Sequence, residues 1–187
     1  MMRRFVCLLF LLIAAHWTMA QGEWAVGVRV PEPAGLSVKK YLNGGSNALE
    51  FGIGTYGYGY GYGSTYPGYK GYYKKYNKDY YYRRGGLVIM ADYLWQNSIS
   101  GVEGLQWYAG PGLQLRSFNY LYDSDGDGNL DTEGTALGLG PNGMAGLEWF
   151  FPQADFFSLF VDMGLYIEIA PRPWVALNAG IGFHFNF

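Results

Sequence analysis

Beyond residue 20 the chain has no cysteine, a single histidine, no run of eighteen apolar residues and no segment repeating apolar residues at helical spacing. Each absence excludes something. Without cysteine there is no disulfide and no thiolate chemistry. Without a long apolar run there is no membrane-spanning helix, and without a 3.6-residue period there is no amphipathic helical domain. What is abundant is glycine, at 29 residues, and aromatic side chains, at 19 % of the chain. Both have places in a β-barrel, where glycine makes room in a narrow lumen and aromatics form interfacial girdles.

The first twenty residues read differently from the rest. Arg3 and Arg4 precede the apolar run Phe5 to Ala15, and Thr18, Met19 and Ala20 make a small-residue exit before Gln21. This is the pattern of a secretory signal peptide over residues 1–20, cleaved after Ala20, because the apolar run is about half the length a spanning helix needs. Cleavage would remove Cys7 and leave eleven Lys and Arg against fifteen Asp and Glu, a net charge of minus four. Residues 21–187 are then one domain.

That domain is built of alternation. From Val175 to Phe187 the residues Val175, Leu177, Ala179, Ile181, Phe183, Phe185 and Phe187 fall on one face, and Ala176, Asn178, Gly180, Gly182, His184 and Asn186 on the other. The same period of two runs through Trp24 to Val30, Gly35 to Leu42, Ala48 to Tyr56, Leu87 to Gln96, Leu105 to Phe118, Ala136 to Phe151 and Phe156 to Ala170. Pro141 with Asn142 and Gly143 predicts a bulge in the middle of the run from Ala136 to Phe151. Eight strands, most near the nine to eleven residues of a tilted spanning strand, give an all-β fold: an eight-stranded antiparallel up-and-down transmembrane β-barrel. The loop lengths agree. With both ends in the periplasm, long loops belong at odd positions, and the two long ones, 57–85 and 119–135, are the third and fifth.

Several stretches carry a resemblance: Gly35-Leu36-Ser37-Val38-Lys39-Lys40-Tyr41 followed by Ala48-Leu49-Glu50, and Val102-Glu103-Gly104-Leu105-Gln106-Trp107-Tyr108. They resemble small outer-membrane barrel proteins of Gram-negative bacteria, and the layout is similar to the OmpA and OmpX type. The resemblance implies a fold and a location in the outer membrane. It implies no particular activity.

The inward face carries Arg29, Lys39 and Arg116 against Glu50, Asp92, Glu148, Asp162 and Glu168. A lumen this narrow holds only its own side chains, so these charges are expected to pair into a polar plug. The surplus of two carboxylates leaves a narrow, cation-preferring pore as the alternative. Enzymatic barrels need a catalytic constellation near the outer rim. His184 falls at the other end, facing inward, so it reads as a packed histidine and the chain as a non-enzyme; a lipid-modifying enzyme stays as the lesser alternative.

Two loops carry distinctive chemistry. Between Thr55 and Arg84 lie twelve of the eighteen tyrosines, with Tyr66, Tyr69, Lys70, Tyr72, Tyr73, Lys74, Lys75, Tyr76, Lys78, Arg83 and Arg84 forming a basic, aromatic surface. Tyrosine offers large amphipathic contact area at low entropic cost, which suits binding or adhesion to anionic partners: lipopolysaccharide phosphates, glycans or protein. Nucleic acid is not expected at a cell surface. The bland alternative is that the first Tyr-Gly pairs only extend the third strand below a low-complexity tip. In the other loop Asp123, Asp125, Asp127, Asn129 and Asp131, with Gly128, match the first nine places of a calcium loop. Gly134 stands where the twelfth-place glutamate belongs, so a helix-flanked hand is excluded and a helix-free calcium loop of about 0.1 to 1 mM affinity is expected. A solvated acidic loop, or one pairing with the basic loop across the barrel mouth, are the readings without a metal. A soluble lipocalin-like barrel would need a polar exterior, and this exterior is apolar.

Overall fold

The computed structural model describes residues 23–56, 82–122, 132–170 and 173–187. Their strands are β1 (Trp24–Glu32), β2 (Ala34–Leu42), β3 (Asn47–Thr55), β4 (Tyr82–Arg84), β5 (Leu87–Ser98), β6 (Leu105–Tyr122), β7 (Thr132–Phe151), β8 (Ala154–Glu168) and β9 (Trp174–Asn186). One turn of 3-10 helix, Asn43–Gly45, joins β2 to β3.

Every pairing is antiparallel between successive staves, and β1 closes on β9 from Ala25↔Asn186 to Glu32↔Ala179. Beyond that ladder, Trp24 and Phe187 exchange backbone hydrogen bonds of 3.1 and 2.8 Å and finish the seam. Because β4 and β5 both pair with β6, they form one interrupted stave, and the ring has eight. Closure removes the sheet edges that would otherwise be unsatisfied in lipid. The expected eight-stranded all-β up-and-down barrel is therefore the observed fold.

The alternation sorts the side chains by face. Val28, Leu36, Ile53, Ile89, Leu113, Leu139, Val161 and Leu177 point out and are exposed, whereas Arg29, Lys39, Glu50, Gln114, Glu148 and His184 point in and are buried. A chain that exposes its aliphatic residues and buries its charges is inverted relative to a protein folded around water. Trp24, Trp95, Trp107 and Trp149 are all exposed near one end, the end of the short turns. Aromatic rings continue around it, with Trp149, Phe151, Phe157 and Phe185 linked by centroid distances of 4.6 to 5.6 Å. This is the girdle position for amphipathic and aromatic rings.

The structure corrects three expectations. First, the β6–β7 hairpin does not open at Phe118 and Ala136; its ladder continues to Tyr122↔Thr132, so residues 119–122 and 132–135 of the expected loop 119–135 are paired strand. Second, the expected loop 57–85 contains β4, whose Tyr82, Arg83 and Arg84 pair with Leu121, Tyr120 and Asn119. Strands rich in β-branched and aromatic residues pair beyond the lipid wherever partners are in register. Third, the ladder between β6 and β7 runs unbroken through Pro141. On the β8 side pairing stops at Asn142↔Tyr166 and resumes at Leu139↔Ala170, one residue out of step, and a further shift lies at Phe150/Phe151. Proline has no N–H for a ladder, so the irregularity falls beside it on one flank only.

Candidate functional site

The eight inward charges lie buried inside the barrel, and their contacts divide into three layers. The lower layer, toward the short turns, centres on Glu148 of β7. Its Oε2 accepts the Lys39 ammonium at 2.7 Å and its Oε1 accepts the Ser158 hydroxyl at 2.7 Å. Nδ1 of His184 lies 2.8 Å from the same Oε1, and the Tyr41 hydroxyl 3.2 Å from it. Since Nδ1 faces a carboxylate it carries a proton, and Nε2, the other ring nitrogen, lies 2.9 Å from the Ser37 hydroxyl oxygen. Gly27 is required here, because a Cβ would collide with the His184 ring. Phe160 stacks on that ring at 4.6 Å.

Ser37, His184 and Glu148 thus repeat the hydrogen-bond order of a nucleophile, base and orienting acid. Ser37 and His184 are each 1 % exposed and Glu148 is 0 %, so the described side chains close over the serine oxygen. The arrangement works as a brace that ties β2, β7, β8 and β9 together.

In the middle layer Arg29 of β1 reaches across Gly180 to Asp162 of β8, with Nη2 to Oδ1 at 2.6 Å. Tyr108 donates to the second Asp162 oxygen at 3.3 Å. Asp92 of β5 passes over Gly112 and accepts the Asn142 amide at 2.5 Å. Glu50 is directly opposite Asp92 in the β3–β5 ladder. In the upper layer the Arg116 guanidinium lies between the Tyr56 and Tyr166 rings, at 4.6 and 4.5 Å, and donates to Asn178 at 2.6 Å. A Cβ on Gly138, the residue opposite Arg116, would collide with the Glu168 carboxylate, so that carboxylate sits over the Arg116 side of the lumen.

Period two assigns these residues to the inner face, but their partners lie across the lumen. The roles of Ser37, Tyr41, Tyr108, Asn142, Ser158, Phe160 and Asn178 emerge only from register, because residues such as Lys39 and Glu148 stand on strands that are not neighbours. No signal along one strand contains that information.

The loop residues fall elsewhere. Tyr66, Tyr69, Lys70, Tyr72, Tyr73, Lys74, Lys75, Tyr76 and Lys78 lie outside the described residues, as do Asp123, Asp125, Asp127, Asn129 and Asp131. Arg83 and Arg84 are on β4. Among the described residues no group of three or more His, Cys, Asp or Glu side chains is placed to hold a metal ion.

No protein-family model matches the chain, and no curated protein matches it in sequence. Solved structures do match its shape. The N-terminal β-barrel domain of Pseudomonas aeruginosa OprF is 20 % identical, with a TM-score of 0.57 over 89 % of this chain and 100 % of that one. A major outer membrane protein from Thermus thermophilus is 15 % identical, with a TM-score of 0.51 over 90 % of this chain and 100 % of the other. Ail, the attachment invasion locus protein of Yersinia pestis, is 11 % identical, with a TM-score of 0.50 over 90 % and 100 %. The fold is that of the small eight-stranded outer-membrane barrels.

Proposed function

We propose that this chain is an outer-membrane barrel, delivered by a cleaved signal peptide over residues 1–20, whose body is structural and whose outer end is a binding or adhesion surface. The observation that carries this reading is the pairing of β4, β6 and β7 beyond the barrel wall, from Arg84↔Asn119 to Tyr122↔Thr132. That sheet is the stem to which both distinctive segments attach: the tyrosine-rich basic segment enters it at Tyr82, and the aspartate-rich segment joins Tyr122 to Thr132. A paired stem presents the segments attached to it at low ordering cost. The apolar wall supports the membrane location, and one structural neighbour is named for attachment and invasion.

Lysine and arginine among tyrosines select anionic surfaces, so lipopolysaccharide phosphates, acidic glycans or an acidic protein face are the partner class. The alternating aspartates take calcium and order the tip beside them. The test is protease treatment of intact cells expressing the protein, in calcium and in chelator. Cleavage confined to residues 57–81 and 123–131, with protection of the second by calcium, is the expected result; a protein untouched in intact cells and recovered in the soluble periplasm overturns the reading.

A further inference from the structure

Closure satisfies the backbone only as high as the ring extends. The β8–β9 stave ends low: β7 meets β8 for the last time at Leu139↔Ala170, and Trp174 is already paired with Glu168 on the way down. β7 itself rises higher, paired with β6 to the top of their hairpin. Above Leu139 its other side faces no described strand.

Which groups lie on that side follows from Leu139. Its N–H donates to the Ala170 carbonyl at 2.9 Å and its carbonyl accepts the Ala170 N–H at 3.3 Å, so both groups point toward β8. Direction alternates along an antiparallel strand. The N–H and C=O of Leu137, Thr135 and Glu133 therefore point the same way, while those of residues 134, 136 and 138 serve β6. Thr135 and Glu133 stand too far above Trp174 for the β8–β9 connection to reach them. Sheet edges are commonly blunted by lysine, proline or a bulge. From Glu133 to Leu139 there is no proline and no lysine, and Glu133 is the only charge. Glu133, Thr135 and Leu137 are exposed.

We propose that this edge accepts an extended strand of a partner protein, antiparallel to β7 at Glu133 and Thr135, with a lysine or arginine of the partner beside Glu133. A row of paired donors and acceptors at two-residue spacing is the complement of another polypeptide backbone, not of a glycan or a lipid. Opposite charges on facing residues favour the basic partner. A second copy in the same membrane does not fit. The open side of β7 lies over β8 of its own ring, so a second barrel would overlap that stave, and parallel stems in register would set Glu133 beside Glu133. The inference rests on the outward orientation of this end proposed above, and it adds a partner class that the basic segment does not select.

The experiment uses the full chain in lipid nanodiscs, a capped Val-Thr-Val-Thr-Lys-Thr peptide as probe, and amide hydrogen exchange as the readout. In the free chain the Glu133 and Thr135 amides should exchange much faster than that of Leu139. Peptide at about ten times its dissociation constant should slow both by about tenfold. N-methylation of the third and fifth peptide residues, whose N–H groups would face β7, should abolish the effect, and N-methylation of the second and fourth should not. Glu133→Lys should weaken binding by about two- to fivefold, the worth of an exposed ion pair, and a peptide with glutamate in place of lysine should restore it. Thr135→Pro removes an edge N–H without touching the β6 ladder and should block binding. If that variant does not fold, the two N-methylated peptides on the unaltered chain decide. Equal binding of those two peptides, or Glu133 and Thr135 amides already protected in the free chain by its own segments or a second copy, overturns the inference. Binding to the purified chain without labelling of intact cells by a fluorescent form of the peptide would uphold the strand acceptor and count against the outward orientation alone.

Discussion

Lys39 and Glu148 meet at 2.7 Å in the centre of the lower lumen although their strands, β2 and β7, are separated by β1, β8 and β9 on one side and by β3, β5 and β6 on the other. Both side chains have no solvent exposure. Such a pair is a cross-brace: it fixes which strands oppose one another across the barrel, and its strength depends on both partners being present.

Removing one partner should therefore be far worse than removing both. Lys39→Met takes the ammonium from the buried Glu148 and leaves it Ser158, Tyr41 and His184 as partners, and should cost about 3 to 5 kcal/mol in urea unfolding from lipid vesicles. Lys39→Met combined with Glu148→Gln should recover part of that loss, because no buried charge is left uncompensated. A double variant as unstable as Lys39→Met alone would show that the pair contributes through packing rather than charge.

Glycines in the wall should divide by what faces them. A Cβ on Gly180 would collide with the Arg29 guanidinium and displace it from Asp162. On Gly143 the nearest neighbour of such a Cβ is a backbone oxygen at 3.8 Å, an ordinary contact. Gly180→Ala should lower the unfolding midpoint strongly and Gly143→Ala should leave it nearly unchanged, read by the shift of the heat-modified band on a gel.

How much of this can be read along the chain follows from the same residues. The period of two identifies the strands and both faces, since Arg29, Glu50 and Asp92 alternate with exposed Val28, Phe51 and Tyr93 whatever their partners are. The layering needs register: Arg29 finds Asp162 because Gly180 lies between them, and that triple spans β1, β9 and β8. The outer stem escapes the sequence for a related reason. Tyr120, Leu121 and Tyr122 sit beside aspartates and glycines that read as loop, yet Tyr82–Arg84 and residues 132–135 are in register to pair with this strand end. Local composition marks turns; only the partner strand shows how far a hairpin continues.

The tryptophans give a depth measurement. Trp24, Trp95, Trp107 and Trp149 occupy one end of the barrel and all face outward. In vesicles, lipids brominated near the headgroup should quench each of them, as single-tryptophan variants, more than lipids brominated near the chain ends. Equal quenching from both depths would mean that these residues do not form an interfacial girdle.

Met163 separates a membrane barrel from a water-soluble one most directly. It is 70 % exposed, faces out from β8 and pairs with Ala179 midway along β9, so in a bilayer it contacts acyl chains. Arginine at such a position is disfavoured by about 2 to 4 kcal/mol near the midplane. In water the same replacement at an exposed site changes stability by about 0.5 kcal/mol or less. Met163→Arg should thus unfold from vesicles at clearly lower urea, while Val102→Arg, in the exposed turn between β5 and β6 at the short-turn end, should not. Equal midpoints for the two variants would place the apolar wall against something other than lipid.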